Sequence, residues 1–189
     1  MGSIVGSLVG VGTRETANRD HVPDHVKLFF AAALVRPVRN AEGLAAVLAG
    51  YFHVPASVEQ FVGHWLDLPV SERTRLGSAS AMLGGGAVLG ARVWDRQHKF
   101  RIQLGPLTLQ QYESLLPGGT WFRHLVDWVR QYCRFELEWD VRLVLKRTQV
   151  PRMRLGSFVR LGWTTWLGQP PLAVDPADLT LEAERLYAT

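Results

Sequence analysis

The chain has 189 residues, of which 47% are hydrophobic, with one cysteine and a formal net charge of +4. A chain of this size can bury roughly two thirds of its unfolded surface and so build one or two small cores. The single cysteine, Cys133, rules out an internal disulfide and most zinc sites, and the longest unbroken apolar run, Leu28 to Val35, falls well short of the about twenty residues a membrane-spanning helix needs. The apolar, glycine-rich opening Met1 to Gly12 has no basic region ahead of it, so a secretory signal is not expected. The positive charge comes from arginine more than lysine, which suits planar contacts with carboxylates or phosphates without choosing between them.

The first predicted helix runs from about Asp24 to Val35, with Leu28, Ala31, Ala32 and Val35 on one face and Pro37 preventing continuation. Asn40 is a good N-cap for a second helix carrying Leu44, Val47, Leu48 and Tyr51 at helical spacing. An extended segment follows from Pro55 through Trp65, and Pro69 closes it. Further on, Thr108 and Gln111 have the form of a capping box on a short helix that stops before Pro117-Gly118-Gly119. Thr120 can cap the next helix, whose apolar side is Trp121, Leu125, Trp128 and Tyr132. The period then changes to two: Phe135, Leu137, Trp139, Val141, Leu143 and Leu145 alternate with a mostly polar set, which predicts a long strand with one face in the core.

These elements recur. Pro37 answers to Pro117, Tyr51 to Tyr132, the Arg73 to Gly77 stretch to Arg152 to Gly156, and Leu83-Gly84 through Leu89-Gly90 to Leu161-Gly162 through Leu167-Gly168, at shifts of 80, 81, 79 and 78 residues. The reading is an α+β fold of two tandem helix-helix-strand modules, residues 23–105 and 106–189, after an amino-terminal segment 1–22. Leucine followed by glycine every six or seven residues predicts ordered loops wrapped on each module, leucine plugging the core and glycine reversing the chain. A module of about eighty residues is marginal alone, so the two are expected to share an interface. Repetition favours a scaffold that offers similar surfaces twice over a catalytic site built once.

Catalytic and cofactor motifs fail on inspection. The glycines at 10, 12 and 84–90 complete neither a dinucleotide fingerprint nor a Walker loop, and no serine sits in a nucleophile elbow. His21 and His25 are four apart, but no third metal ligand accompanies them, and Glu136, Glu138 and Asp140 read as a polar strand face. No enzyme activity, catalytic residue, metal, cofactor or small-molecule substrate is expected. Two stretches read as contact surfaces instead. Trp163-Thr164-Thr165-Trp166 interrupts the second leucine-glycine series, and large aromatics dominate interface energies when they enter a partner's pocket, although they can equally fill the module's own core. Arg92-Val93-Trp94-Asp95-Arg96-Gln97-His98-Lys99-Phe100-Arg101 mixes cations with aromatics. Together with Lys146, Arg147, Arg152 and Arg154 it forms a possible phosphate track, so the alternative reading is a nucleic-acid-binding module. The acids interspersed among these bases and the small net charge favour a protein partner.

Several longer stretches carry a family resemblance: Arg39-Asn40-Ala41-Glu42-Gly43-Leu44, Val58-Glu59-Gln60-Phe61-Val62-Gly63, Leu89 to Gln97 with Lys99-Phe100-Arg101, Leu115-Leu116-Pro117-Gly118-Gly119, and Arg160-Leu161-Gly162-Trp163-Thr164-Thr165-Trp166-Leu167-Gly168. With them the chain resembles the TssG (ImpH, VasB) baseplate subunits of the type VI secretion system, over about Val9 to Leu181. The resemblance implies a non-enzymatic wedge component that joins TssF, docks TssK and works alongside TssE, in the cytoplasm at the cytoplasmic side of the inner membrane, touching the membrane only through the secretion complex. It also implies that segment 1–22 is the end of an amino-terminal half absent from this chain. Trp94, Arg96, Trp163 and Trp166 become candidate contact or fold-defining residues, with Arg92, Thr164 and Thr165 beside them.

Overall fold

In the computed structural model of the chain, which describes residues 6–8, 19–75, 77, 81–82, 84, 87–88, 90–133, 135–152, 160–166 and 173–187, the apolar run after Pro23 forms two short helices, α1 (Asp24–Phe29) and α2 (Ala31–Val35). The single helix expected there is interrupted at Phe30, whose ψ of 15° leaves helical geometry. The break turns the inward face. Lys27, Ala31 and Leu34 are buried, whereas Ala32 and Val35 of the expected stripe are exposed. Burial of Lys27 is tolerable because carboxylates of Asp20 and Asp24 lie 2.7 and 2.9 Å from its ammonium group.

Helix α3 (Ala41–Phe52) begins as predicted, with the Asn40 side chain accepting from the Gly43 N–H at 3.0 Å. It buries Leu44, Val47, Leu48 and Phe52. The extended segment expected from Pro55 to Trp65 is two strands, β1 (Ala56–Glu59) and β2 (His64–Asp67), parted near Phe61, which has a left-handed φ of 59°. The basic and aromatic stretch Arg92 to Arg101 is also two strands, β3 (Arg92–Asp95) and the beginning of β4 (Lys99–Leu107).

Helix α4 (Leu109–Ser114) carries the predicted capping box. The Thr108 hydroxyl accepts from the Gln111 N–H at 3.3 Å, and the Gln111 side chain accepts from the Thr108 N–H at 2.9 Å. Thr108→Ala is expected to cost about 1 kcal/mol, read as a lower denaturation midpoint with an unchanged slope. Helix α5 (Thr120–Cys133) starts at Thr120 itself and buries Leu125, Trp128 and Tyr132 as expected, with Phe122, Val126 and Val129 widening the face. Strand β5 (Glu138–Leu145) is shorter than its alternation suggests. Phe135 and Leu137 precede it and are exposed, while Asp140 and Val144 of the supposedly wet face are buried. A 3₁₀ turn (Arg147–Gln149), β6 (Leu179–Leu181) and α6 (Ala183–Tyr187) complete the described elements.

The architecture is α+β. One four-stranded sheet has the order β1-β4-β5-β6, and β2 and β3 form a separate two-stranded ribbon. β1 runs antiparallel to β4, β4 parallel to β5, and β5 antiparallel to β6. The parallel pair is joined by a crossover through α4 and α5, the connection parallel neighbours require. Phe100, Ile102 and Leu104 of β4 and Trp139, Val141 and Leu143 of β5 form the core with Leu44, Leu48, Leu125 and Trp128 of the helices. Strand β4 crosses the boundary between residues 105 and 106, and the sheet takes strands from both predicted modules. At that boundary Gly105 has a φ of 132°, and a side chain there would run into the Val144 backbone. Most of the leucine-glycine series, residues 76, 78–80, 83, 85–86, 89, 153–159 and 167–172, lies outside the described residues.

Candidate docking surfaces

The β2–β3 ribbon leaves the chain between β1 and β4, and its register sets side chains in opposed pairs: His64 with Asp95, Trp65 with Trp94, Leu66 with Val93, Asp67 with Arg92. Trp65 and Trp94 meet edge to face, ring centres 5.3 Å apart, yet remain 60% and 53% exposed. Gly63 makes room for the pair, since a Cβ there would strike the Trp94 ring. The Arg92 guanidinium reaches Asp67 at 2.6 Å, and Arg96 Nε donates to the Phe61 carbonyl at 3.3 Å. Three predicted site residues, Arg92, Trp94 and Arg96, therefore stand on one ribbon. Trp65 is the partner that sequence reasoning missed, because only the strand register brings it opposite Trp94.

The root of the ribbon is polar. His64 lies 3.7 Å from Asp95 and 3.4 Å from Glu138 at the start of β5. Partial desolvation pushes the Asp95 carboxyl up, but the backbone N–H groups of His98 and Gln97, at 3.0 and 3.1 Å, and the His98 ring outweigh it and hold the group below its ordinary value. Rooted in this way, the ribbon holds two large aromatics exposed to water.

The other predicted group, Trp163 to Trp166, forms a packed turn. Trp163 and Thr164 donate their N–H groups to the Arg160 carbonyl at 3.0 and 2.9 Å, and the buried Thr164 hydroxyl accepts from the Arg160 N–H at 2.8 Å. The Thr165 hydroxyl accepts from the Gly162 N–H at 3.1 Å. Tyr112 of α4 donates its hydroxyl to the Trp163 carbonyl at 2.9 Å, and burial raises that hydroxyl's pKa, so it stays a donor. Trp166 lies 5.9 Å from the Tyr112 ring, the Arg160 guanidinium sits 5.5 Å over Trp163, and both tryptophans are half-buried against the core. Trp163→Ala combined with Trp166→Ala is accordingly expected to lower folding stability by roughly 2–4 kcal/mol, measured by thermal or denaturant unfolding.

Two titratable pairs elsewhere join elements of the fold. His21 Nδ1 lies 2.8 Å from buried Asp127, and the Tyr51 hydroxyl meets His124, whose pKa burial lowers; these contacts tie the lead-in to α1 and the end of α3 onto α5. Burial pushes the Cys133 thiol up to about 11 against a smaller opposing pull from Arg39, leaving it protonated and a poor nucleophile at neutral pH. Several cations of the possible phosphate track are engaged as well. Lys99 and Arg101 hold Asp140, and Arg147 donates to the Ala173 carbonyl at 3.0 Å.

A family profile described as type VI secretion, TssG, matches residues 1–168 of the 189. This chain belongs to the TssG family. Both the ribbon and the Trp163 turn fall inside the matched residues, whereas β6 and α6 lie beyond them. A chain of the type VI secretion system TssK-TssF-TssG baseplate subcomplex, solved by cryo-electron microscopy, is similar in fold, with a TM-score of 0.69 and 22% identity over 96% of this chain and 76% of that one. A chain of the baseplate complex from the type VI secretion system is similar with a TM-score of 0.61 and 22% identity, covering 87% of this chain. This TssG-family chain spans 46% of the length of that second chain. A search of curated proteins found no match.

Proposed function

We propose that this chain is a structural, non-enzymatic subunit of the type VI secretion baseplate, an adaptor that joins TssF and docks TssK within a wedge that also holds TssE. The exposed Trp65–Trp94 pair carries the reading. Two tryptophans more than half exposed on a ribbon outside the main sheet gain most when a partner buries them. Membership of the TssG family and the fold shared with a chain of the TssK-TssF-TssG subcomplex supply the kind of partner. Each predicted module then offers one surface in an equivalent place in the strand order, the first anchored on exposed tryptophans and the second a turn whose tryptophans are held by the core. The ribbon, with Arg92, Trp94, Arg96 and Trp65, lies between β1 and β4, and the Trp163-Thr164-Thr165-Trp166 turn lies between β5 and β6. The assembly sits in the cytoplasm at the inner membrane, which it meets only through the secretion complex. The nucleic-acid reading is weaker, because Arg92, Lys99 and Arg101 already hold carboxylates of the chain itself.

Co-purification with TssK and TssF tests this reading. The chain is expected to elute with one or both partners in size-exclusion chromatography at moderate salt. Elution alone from mixtures with each, by a chain that is folded, would overturn it.

A further inference from the structure

The ribbon has a second side. Successive residues of a strand point to opposite faces, so the cross-strand pair Leu66 and Val93 turns away from Trp65 and Trp94. Leu66 there forms one wall of an open groove of about 740 Å³, whose other walls are the turn that leads into β5 and the start of α6. Phe135 and Leu137, which alternation along the sequence assigns to the core, stand on this groove 79% and 42% exposed, and Leu66 is 40% exposed. Three large apolar side chains thus meet water around one opening.

The groove is acidic, although the chain as a whole has a net charge of +4. Glu136, Glu138, Glu182 and Glu184 all line it. Arg130 answers Glu184 at 2.7 Å and Arg185 answers Glu182 at 3.5 Å, while Lys99, also on the wall, is committed to Asp140 at 3.2 Å. Glu136 has no ion pair among the described residues, and the one partner of Glu138 among them is His64, at 3.4 Å. Two carboxylates beside exposed apolar side chains are complementary to a basic residue whose aliphatic stem lies on the apolar wall and whose charged head reaches the acids. We propose that this groove docks a segment of a partner protein in which an arginine or lysine is flanked by apolar residues. The cation meets Glu136 and Glu138, and its apolar neighbours cover Phe135, Leu137 and Leu66. The inference rests on the assembly role proposed above.

The test compares the unaltered chain with Glu136→Lys, Phe135→Ala and a control, Glu113→Lys on α4, which follows the opposite end of β4. Each is taken through thermal unfolding, sedimentation, and titration against purified TssF and purified TssK. Glu136 and Phe135 are exposed, so both groove variants are expected to melt within about 2 °C of the unaltered chain. Glu136→Lys is expected to bind one of the two proteins at least about tenfold more weakly, since it sets like charges against each other. Phe135→Ala is expected to weaken the same complex at least about fivefold, and Glu113→Lys to leave it unchanged. Equal binding of both proteins by the unaltered chain and Glu136→Lys would overturn the proposal while leaving the assembly role standing. Equal weakening by Glu113→Lys would assign the effect to net charge and overturn the groove. A large drop in melting temperature for both groove variants would assign the turn to the fold instead. A dimer of the unaltered chain that Glu136→Lys abolishes would make the occupant a second copy and overturn docking of a partner. Binding of neither protein by the unaltered chain would remove the assembly role and the proposal together.

Discussion

Replacing Asp140 by alanine is expected to destabilise the fold by about 3–5 kcal/mol. The carboxylate is 2% exposed, and it is held by Arg101 through both oxygens and by Lys99 at 3.2 Å, with the two cations themselves largely buried. Removing it leaves two cations at the centre of the sheet with no acceptor, and desolvation of an uncompensated charge outweighs the Coulomb energy of the intact cluster. The arrangement also spans the parallel β4–β5 pair, where Arg101 and Asp140 are direct register partners. Asp140→Asn keeps the shape and one acceptor oxygen, so its cost should be clearly smaller. Urea unfolding of the two variants separates the cases: nearly equal midpoints would mean that charge is not what the cluster needs.

The second large effect is on assembly. Trp65→Ala together with Trp94→Ala is expected to weaken partner binding by about 2 kcal/mol or more, roughly thirtyfold, while changing folding stability by less than about 1 kcal/mol. The asymmetry follows from exposure. Both rings are more than half in water, and the contact they lose within the chain is chiefly their edge-to-face pairing. In a complex the same rings would be covered, and truncating them would remove that burial. The tryptophans at 163 and 166 should show the opposite balance, because they are half-buried on the core and Trp163 is tied through its carbonyl to Tyr112. Measuring unfolding and binding on both double variants tells anchoring residues from fold-defining ones. Loss of folding in the Trp65 and Trp94 variant would return the ribbon to the role of a structural support.

The parts of this fold that could be read from the chain are those whose cause is local. Asn40 with Gly43 and Thr108 with Gln111 are caps made within one turn of helix, so residue type and spacing suffice to place them. The inward residues of α5 follow from helical period, and the alternation Trp139, Val141, Leu143, Leu145 follows from the pleat. The central strand β4 was illegible for a physical reason. Its outward residues Lys99 and Arg101 look like solvated cations of a basic track until Asp140, far along the chain, is paired beside them. The same pairing explains why Asp140, on the outer face of β5, is not wet. The break at Phe30 reverses the expectation for α1 and α2, since a local departure from helical geometry leaves no mark in apolar periodicity. At the candidate site, Trp94, Arg92 and Arg96 could be singled out by composition, and the family resemblance stood on contiguous stretches. Trp65 could not, because its role comes from a cross-strand register between segments separated by a long connection.

The central claim is that this chain is an assembly subunit whose main contact is apolar and aromatic. Titrating it against TssK and against TssF at about 50 mM and about 200 mM salt tests that claim most directly, because phosphate-dominated binding falls by about 10³-fold or more over this range whereas burial of tryptophan does not. The account predicts tight binding to one or both proteins with a dissociation constant that changes by less than about tenfold between the two salt concentrations. Absence of binding to either protein, or affinity that collapses at the higher salt, would contradict it.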